Sequence, residues 1–421
     1  MDTTARPGRL STASWVVYDL ANTIFALGVG ALFFADWLTE ENTPDLALAV
    51  AIDAAMVIVI VLAPWIGARS DHFGRRVPYL IPTTLIAVTA TFFLATPGVT
   101  VSLVIFSVAL VGFNLGGVIY DSLLPDVSTP ETRGLVSGIG VGVGYVGSFI
   151  AVGVGALLLD EYGYAAVFRT IAVLFALFAV PAFLFVRERP RPRRTGQAPR
   201  LRDSLRGLAR SWRRSRAYPG VTRFLIGRFL YGDAINTLIG GFLTIFVKTE
   251  LDFSDGEVQG LLAVAIVGAI AGGVAGGRIV DRVGPRRLLH AALHGWMAAL
   301  ILGIVAVLAD LRGLAWVLGF VGGIALGATW ASDRVYMAHI SPPARLGEFY
   351  GLYATVGRFA TILGPLLWGL IVTVLGLPRV VAMGTLIGFL AAARVILAGV
   401  DDRPRAWEAA DLEGALPAGP E

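Results

Sequence analysis

Twelve apolar runs, each closed by polar punctuation, set the limits on what this chain can become. They fall at about 13–35, 46–67, 77–96, 99–120, 134–158, 163–186, 219–247, 257–277, 286–308, 313–338, 346–374 and 378–399. A bilayer core about 30 Å thick asks for about 20 apolar residues per helix. Lipid offers the backbone no hydrogen bonds, so such runs cross it as helices. The pattern predicts an all-α membrane protein with twelve transmembrane helices. Composition agrees: 56% of residues are hydrophobic and 15% charged, against roughly 45–50% and 25% in soluble domains.

Several chemistries are excluded at once. Without cysteine there is no disulfide, thiolate ligand or thiol nucleophile. Four scattered histidines lack ligand spacing, so neither a metal nor another cofactor is expected. No Walker A lysine motif is present to drive a primary pump. No nucleophile–base pair suggests an enzyme.

Charge placement gives orientation. Twenty-six of the 34 Lys and Arg residues fall in segments that share one side when both termini are cytoplasmic. Only Lys248, Arg312 and Arg379 fall on the other side, where "ADWLTEENTPDL" is wholly acidic. This asymmetry predicts an even number of spans with both ends inside. Abundant Arg, Ala and Gly with a single Lys fits a GC-rich bacterium, hence its cytoplasmic membrane.

Between spans six and seven, "RERPRPRRTGQAPRLRDSLRGLARSWRRSRAYPG" begins as a Pro- and Arg-rich linker. Leu201, Leu205, Leu208 and Trp212 then recur at helical intervals, with arginines on the other face. A helix on the inner membrane surface, drawn to anionic lipid, accounts for this better than nucleic-acid binding. A monomer is expected.

The chain also repeats itself. "YDLANT" (Asp19, Asn22, Thr23) returns as "YGDAINT" (Asp233, Asn236, Thr237), offset by 214 residues. Gly67, Asp71 and Gly74 in "GARSDHFGRR" return as Gly277, Asp281 and Gly284 in "GGRIVDRVGPRR", offset by 210. A third echo ends at Gly138 and Gly351, offset by 213. Two six-helix halves are therefore expected: 1–187 and 219–400, joined by a linker over 188–218 and followed by a tail over 401–421. Parallel repeats of this kind are known in secondary transporters, which bind near mid-membrane between the repeats.

"GARSDHFGRR" and its second copy resemble the loop motif of the major facilitator superfamily, and the likeness covers about residues 11 to 400. "SWVVYDLANTIF", "FLYGDAINT", "GVGVGYVGSF" and "GEFYGLYATVGRFATILGPLLWG" are similar to the branch of the vacuolar amino-acid effluxers and their bacterial relatives, the unknown major facilitator family. The resemblance implies two pseudo-symmetric six-helix bundles that rock by alternating access, with spans one and seven lining a central cavity. The glycine-proline motif of drug–proton antiporter branches is missing from span five.

Against that background the polar residues inside spans acquire roles. Asp19 with Asn22, and Asp233 with Asn236, share helix faces three residues apart. They are candidates for an ammonium group or a coupled proton; the bland alternative is an Asp tied to a neighbouring helix. Arg228 and Arg358 are candidates for a substrate carboxylate through their forked N–H donors; Arg228 could instead snorkel to the interface. Acid and base together suit a zwitterion such as an amino acid, and a structural ion pair would look the same in sequence. Gating falls to Gly67, Asp71, Gly74, Arg75 and Arg76 in the first half and to Gly277, Arg278, Asp281 and Gly284 in the second. Asp121, Asp333 and Arg334, near span ends, are candidates for gate ion pairs. Gly364–Pro365 marks a kink in span eleven. Export of a drug, sugar or siderophore on the same fold, or a non-transporting receptor, remain alternatives.

Overall fold

The computed structural model describes residues 8–129, 133–188, 200–342 and 346–401. The Pro- and Arg-rich stretch of the linker (189–199), the tail beyond 401, Arg6 and Arg345 lie outside the described residues. Within the described residues every regular element is a helix.

Among the described residues, ten helices are long and apolar enough to cross a membrane. Spans one, two and four are Arg9–Glu40, Asp45–Ser70 and Val99–Ser122. Span three, Val77–Phe92, is a shorter apolar helix. The expected fifth and sixth spans form the single element Arg133–Phe185, which breaks at Gly163, where φ is 72°. Spans seven to twelve are Val221–Glu250, Asp255–Val280, Pro285–Leu308, Leu314–Ile340, Phe349–Val374 and Arg379–Ala398. Counting the short third span and dividing the long element at Gly163 gives the twelve that the hydropathy pattern requires.

Span one departs from expectation at its far end. Its apolar run closes at Ala35, yet the helix continues to Glu40 and carries Asp36, read above as a loop residue, inside it. Tertiary partners described below make that carboxylate tolerable there.

By contacts the chain separates into two compact units. The first holds Met1–Leu205 with Ile239–Thr249 and Ser254–Gln259; the second holds Arg206–Leu238, Glu250–Phe253 and Gly260–Glu421. The division runs through span seven because that helix is broken: Leu238–Phe242 widens to a π-helical turn, and Gly241 adopts φ 105°.

Small residues hold each unit together, because helices without bulky side chains can bring their backbones close. In the first unit a Cβ at Gly147 would stand 2.5 Å from the Leu20 carbonyl, and one at Gly140 3.0 Å from the Trp15 ring. Spans one and five thus meet along a face of span five formed by Gly140, Gly144 and Gly147. In the second unit, Gly268 and Gly272 of span eight press on the backbone of span ten, and Gly323 and Gly327 press back.

The sequence echoes reappear in the backbone. Gly74 and Gly284, equivalent positions in the two loop motifs, both turn with positive φ, 65° and 85°. Spans one and seven both widen to π-helical turns, over Ala26–Phe33 and Leu238–Phe242, just after their shared D-x-x-N-T motif. The linker helix forms over Leu201–Ser215, with Leu201, Leu205, Leu208 and Trp212 lying along one face of it.

Candidate functional site

The two D-x-x-N-T motifs fold alike but meet different surroundings. In span one, Asp19, Asn22 and Thr23 are half-buried and share one face of the helix. Span five lies across that face: a Cβ at Gly144 would sit 2.9 Å from the Thr23 hydroxyl and 3.1 Å from Asp19 Oδ2. The Tyr120 ring stacks on Trp15 and on Tyr18, and its hydroxyl lies in the field of Asp19. Asn22 Oδ1 is buried with no hydrogen-bond partner among the described residues. An orphaned acceptor one turn from a carboxylate is a place for a donor to bind.

Span seven uses the same residue types structurally. Span eleven is interrupted between Leu346–Phe359 and Leu363–Gly369, where Pro365 cannot donate to the helix ladder. Asp233, fully buried, accepts the Gly364 N–H at 2.6 Å. Asn236 donates to the Ala360 carbonyl at 2.6 Å. One side chain serves a freed donor, the other a freed acceptor, and the break is stitched. Gly364 is required there: a Cβ would collide with the Thr237 hydroxyl and stand 3.1 Å from the Asp233 carbonyl. One carboxylate oxygen of Asp233 is thus tied to a neighbouring helix.

Arg228 is likewise engaged within the second unit. Its guanidinium pairs with Asp333, which is fully buried, and lies 3.5 Å from the centre of the Tyr353 ring. Nε donates to the Tyr353 carbonyl at 3.4 Å. A Cβ at Gly357 would lie 2.9 Å from Nη2, so the glycine makes room for the fork. Arg228 does not snorkel, and its charge is answered by Asp333, the residue expected at a gate. Arg358, at the end of the first segment of span eleven, is half-buried.

Among the described loop-motif side chains, that of Arg76 bridges elements. It donates to the Ser122 carbonyl and lies 3.7 Å from Asp126. Glu188, just past span six, accepts the backbone N–H groups of Arg76 and Val77 at 2.6 and 2.9 Å, capping the start of span three. Arg75, Asp121, Gly277, Arg278 and Arg334 are exposed, and Gly67 is half-buried. The side chains of Asp71 and Asp281 lie outside the described ones.

One cluster escaped the sequence reading. Lys248, the chain's single lysine, binds three carboxylates of its own unit: Asp36 at 2.5 Å, Asp255 at 2.7 Å and Glu40 at 3.0 Å. The Tyr164 hydroxyl completes Asp36 at 2.8 Å. A lone lysine in an arginine-rich chain, facing a wholly acidic segment, was the available signal. No group of metal-ligating side chains occurs among the described residues.

Comparison with known proteins now bears on this geometry. A family model described as "Vacuole effluxer Atg22 like" matches residues 46–409. The chain belongs to that family. An uncharacterized MFS-type transporter of Bacillus subtilis, YxiO, is 26% identical over 84% of the chain and 86% of its own length. Autophagy-related protein 22-2 of Aspergillus clavatus is 26% identical over 56% of this chain, which spans 43% of that protein. Among solved structures, the nucleoside transporter NupG matches with TM-score 0.68 at 14% identity, covering 93% of this chain and 98% of that one. A bacterial homolog of the human lysosomal transporter Spinster, inward-facing and unoccupied, matches with TM-score 0.64 at 18% identity, covering 93% and 92%. This Atg22-like protein is a multi-pass membrane protein with the major facilitator fold, and it is a transporter of that type.

Proposed function

We propose that the protein exports a small zwitterion of the amino-acid class across a bacterial cytoplasmic membrane, with both termini inside, by alternating access of its two halves. The observation that carries the reading is the face of span one. There the buried Asn22 Oδ1 has no hydrogen-bond partner among the described residues and lies on the same helix face as the half-buried Asp19, an arrangement that suits an ammonium group. Arg358, half-buried within span eleven of the second unit, is a separate candidate for a substrate carboxylate. Export rests on kinship with vacuole effluxers. The Arg-rich linker helix would lie on anionic lipid, and the working unit would be a monomer.

Counterflow of radiolabelled amino acids in proteoliposomes tests the reading. Saturable exchange is expected, with Asp19→Asn and Asn22→Ala raising KM for cationic and neutral amino acids alike. Absence of exchange with all twenty refutes the substrate class. Normal KM in both variants refutes the site.

A further inference from the structure

Span two carries a carboxylate that neither the repeated motifs nor the groups above use. Asp53 lies in "LALAVAIDAAMVIVIVLAPW", eight residues beyond Asp45, the first residue of its helix. At 1.5 Å per residue it is about 12 Å in from that end, within a hydrocarbon core whose centre is about 15 Å deep. Asp53 is half-buried, and its Oδ1 is fully buried with no hydrogen-bond partner among the described residues.

No described cation stands close by to balance a charge there. On span four, Ser107 donates to the Ala51 carbonyl at 2.7 Å, at the level of Asp53. The charged residue of that helix is Asp121, fourteen residues further along, or about 21 Å. Gly240 of span seven faces Ile52, and Lys248 follows eight residues later, about 12 Å away and held by Asp36, Glu40 and Asp255. On its own helix the nearest charged neighbours are Asp45 and, sixteen residues on, Arg69. The other intramembrane acids with described partners differ: Asp36 has Lys248, Asp233 has the Gly364 N–H and Asp333 has Arg228.

An ionised carboxylate near the centre of a membrane-crossing helix is costly. A carboxyl group without a partner sheds that cost by binding a proton. Nor does the architecture require an acid here. The equivalent positions of the second half, 263–267, read AVAIV, so the shared scaffold is built with apolar residues at this level.

We propose that Asp53 is a proton-binding site that couples transport to the proton gradient. In the arrangement described, the carboxyl carries its proton. When rocking of the halves admits water, the O–H bond breaks, the electron pair stays on the carboxylate oxygen and the proton leaves on water. Rebinding from the opposite side resets the site. This deepens the transporter reading and rests on it for the coupling, though not for the bound proton.

Two measurements on the full-length protein in liposomes test it. Infrared difference spectra of wild type and Asp53→Asn, taken without substrate, are expected to differ by one protonated-carboxyl carbonyl band that shifts in deuterium oxide. In transport, with radiolabelled amino acids as the probe, Asp53→Asn is expected to keep counterflow and lose accumulation driven by a pH gradient, while Asp53→Glu retains part of it. Identical infrared spectra overturn the proposal. So does gradient-driven accumulation by Asp53→Asn, or joint loss of both activities in a variant that unfolds at the wild-type temperature. If wild type exchanges no amino acid, the substrate reading fails alone, and the infrared result still decides whether Asp53 holds a proton.

Discussion

Replacing Lys248 by Met is the most informative single perturbation of this structure. The ammonium is 14% exposed and holds Asp36, whose side chain is 1% exposed, together with Asp255 at 26% and Glu40 at 46%. Removing one member of a buried ion pair costs about 3–5 kcal/mol, because a charge is left stranded. Exposed pairs contribute about 0–1 kcal/mol, so Glu40 adds little and Asp255 only somewhat more. Tyr164 continues to donate to Asp36 after the change, which places the expected loss near 3 kcal/mol, the low end of the buried range. Changing Asp36 to Leu in the same chain removes the stranded carboxylate and leaves chiefly an orphaned Tyr164 hydroxyl, worth about 1–3 kcal/mol. The double variant is therefore expected to be more stable than Lys248→Met alone. Unfolding in mixed micelles titrated with a denaturing detergent, followed by tryptophan fluorescence, measures both. A single-variant loss below about 1 kcal/mol would show the cluster to be a solvated surface network. A double variant no better than the single would show that Asp36 was never the stranded charge.

Three further outcomes follow from the same structure. Asp233→Ala should cost about 1–3 kcal/mol by orphaning the Gly364 N–H, while Asp233→Asn, which keeps a carbonyl acceptor, should cost less; equal losses would mean that charge and not hydrogen bonding matters at Asp233. Gly364→Ala should cost about 1–3 kcal/mol through overpacking against Thr237, with partial rescue by Thr237→Ala; lack of rescue would place the collision elsewhere. Arg228→Lys should lower thermal stability despite keeping the charge, because an ammonium cannot both pair with Asp333 and lie flat on Tyr353; an unchanged unfolding temperature would contradict that geometry.

Much of the architecture was readable before any coordinates. The twelve apolar runs map onto helices because lipid forbids other backbone solutions. The loop-motif echo maps onto two positive-φ glycines, Gly74 and Gly284, because that turn conformation is cheap only for glycine. One boundary failed. Asp36 looked like the start of a loop, since a carboxylate ends an apolar run, but a lysine 212 residues away let the helix continue over it. The gap expected between spans five and six, by contrast, falls at Gly163, where the backbone leaves helical geometry with φ 72°.

The sequence by itself determined that this chain lives in a membrane, folds as helices and repeats its own plan. Those properties follow from side-chain transfer energies and from glycine, both of which act locally. Which acids and bases are already answered was decided by the tertiary structure alone. Asp19 and Asp233 share a motif, yet only the second meets a broken helix whose free N–H it must satisfy. Arg228, an arginine within a span, is buried against Asp333. A charge in a low-dielectric interior is defined by its partner, and these partners lie more than a hundred residues away along the chain.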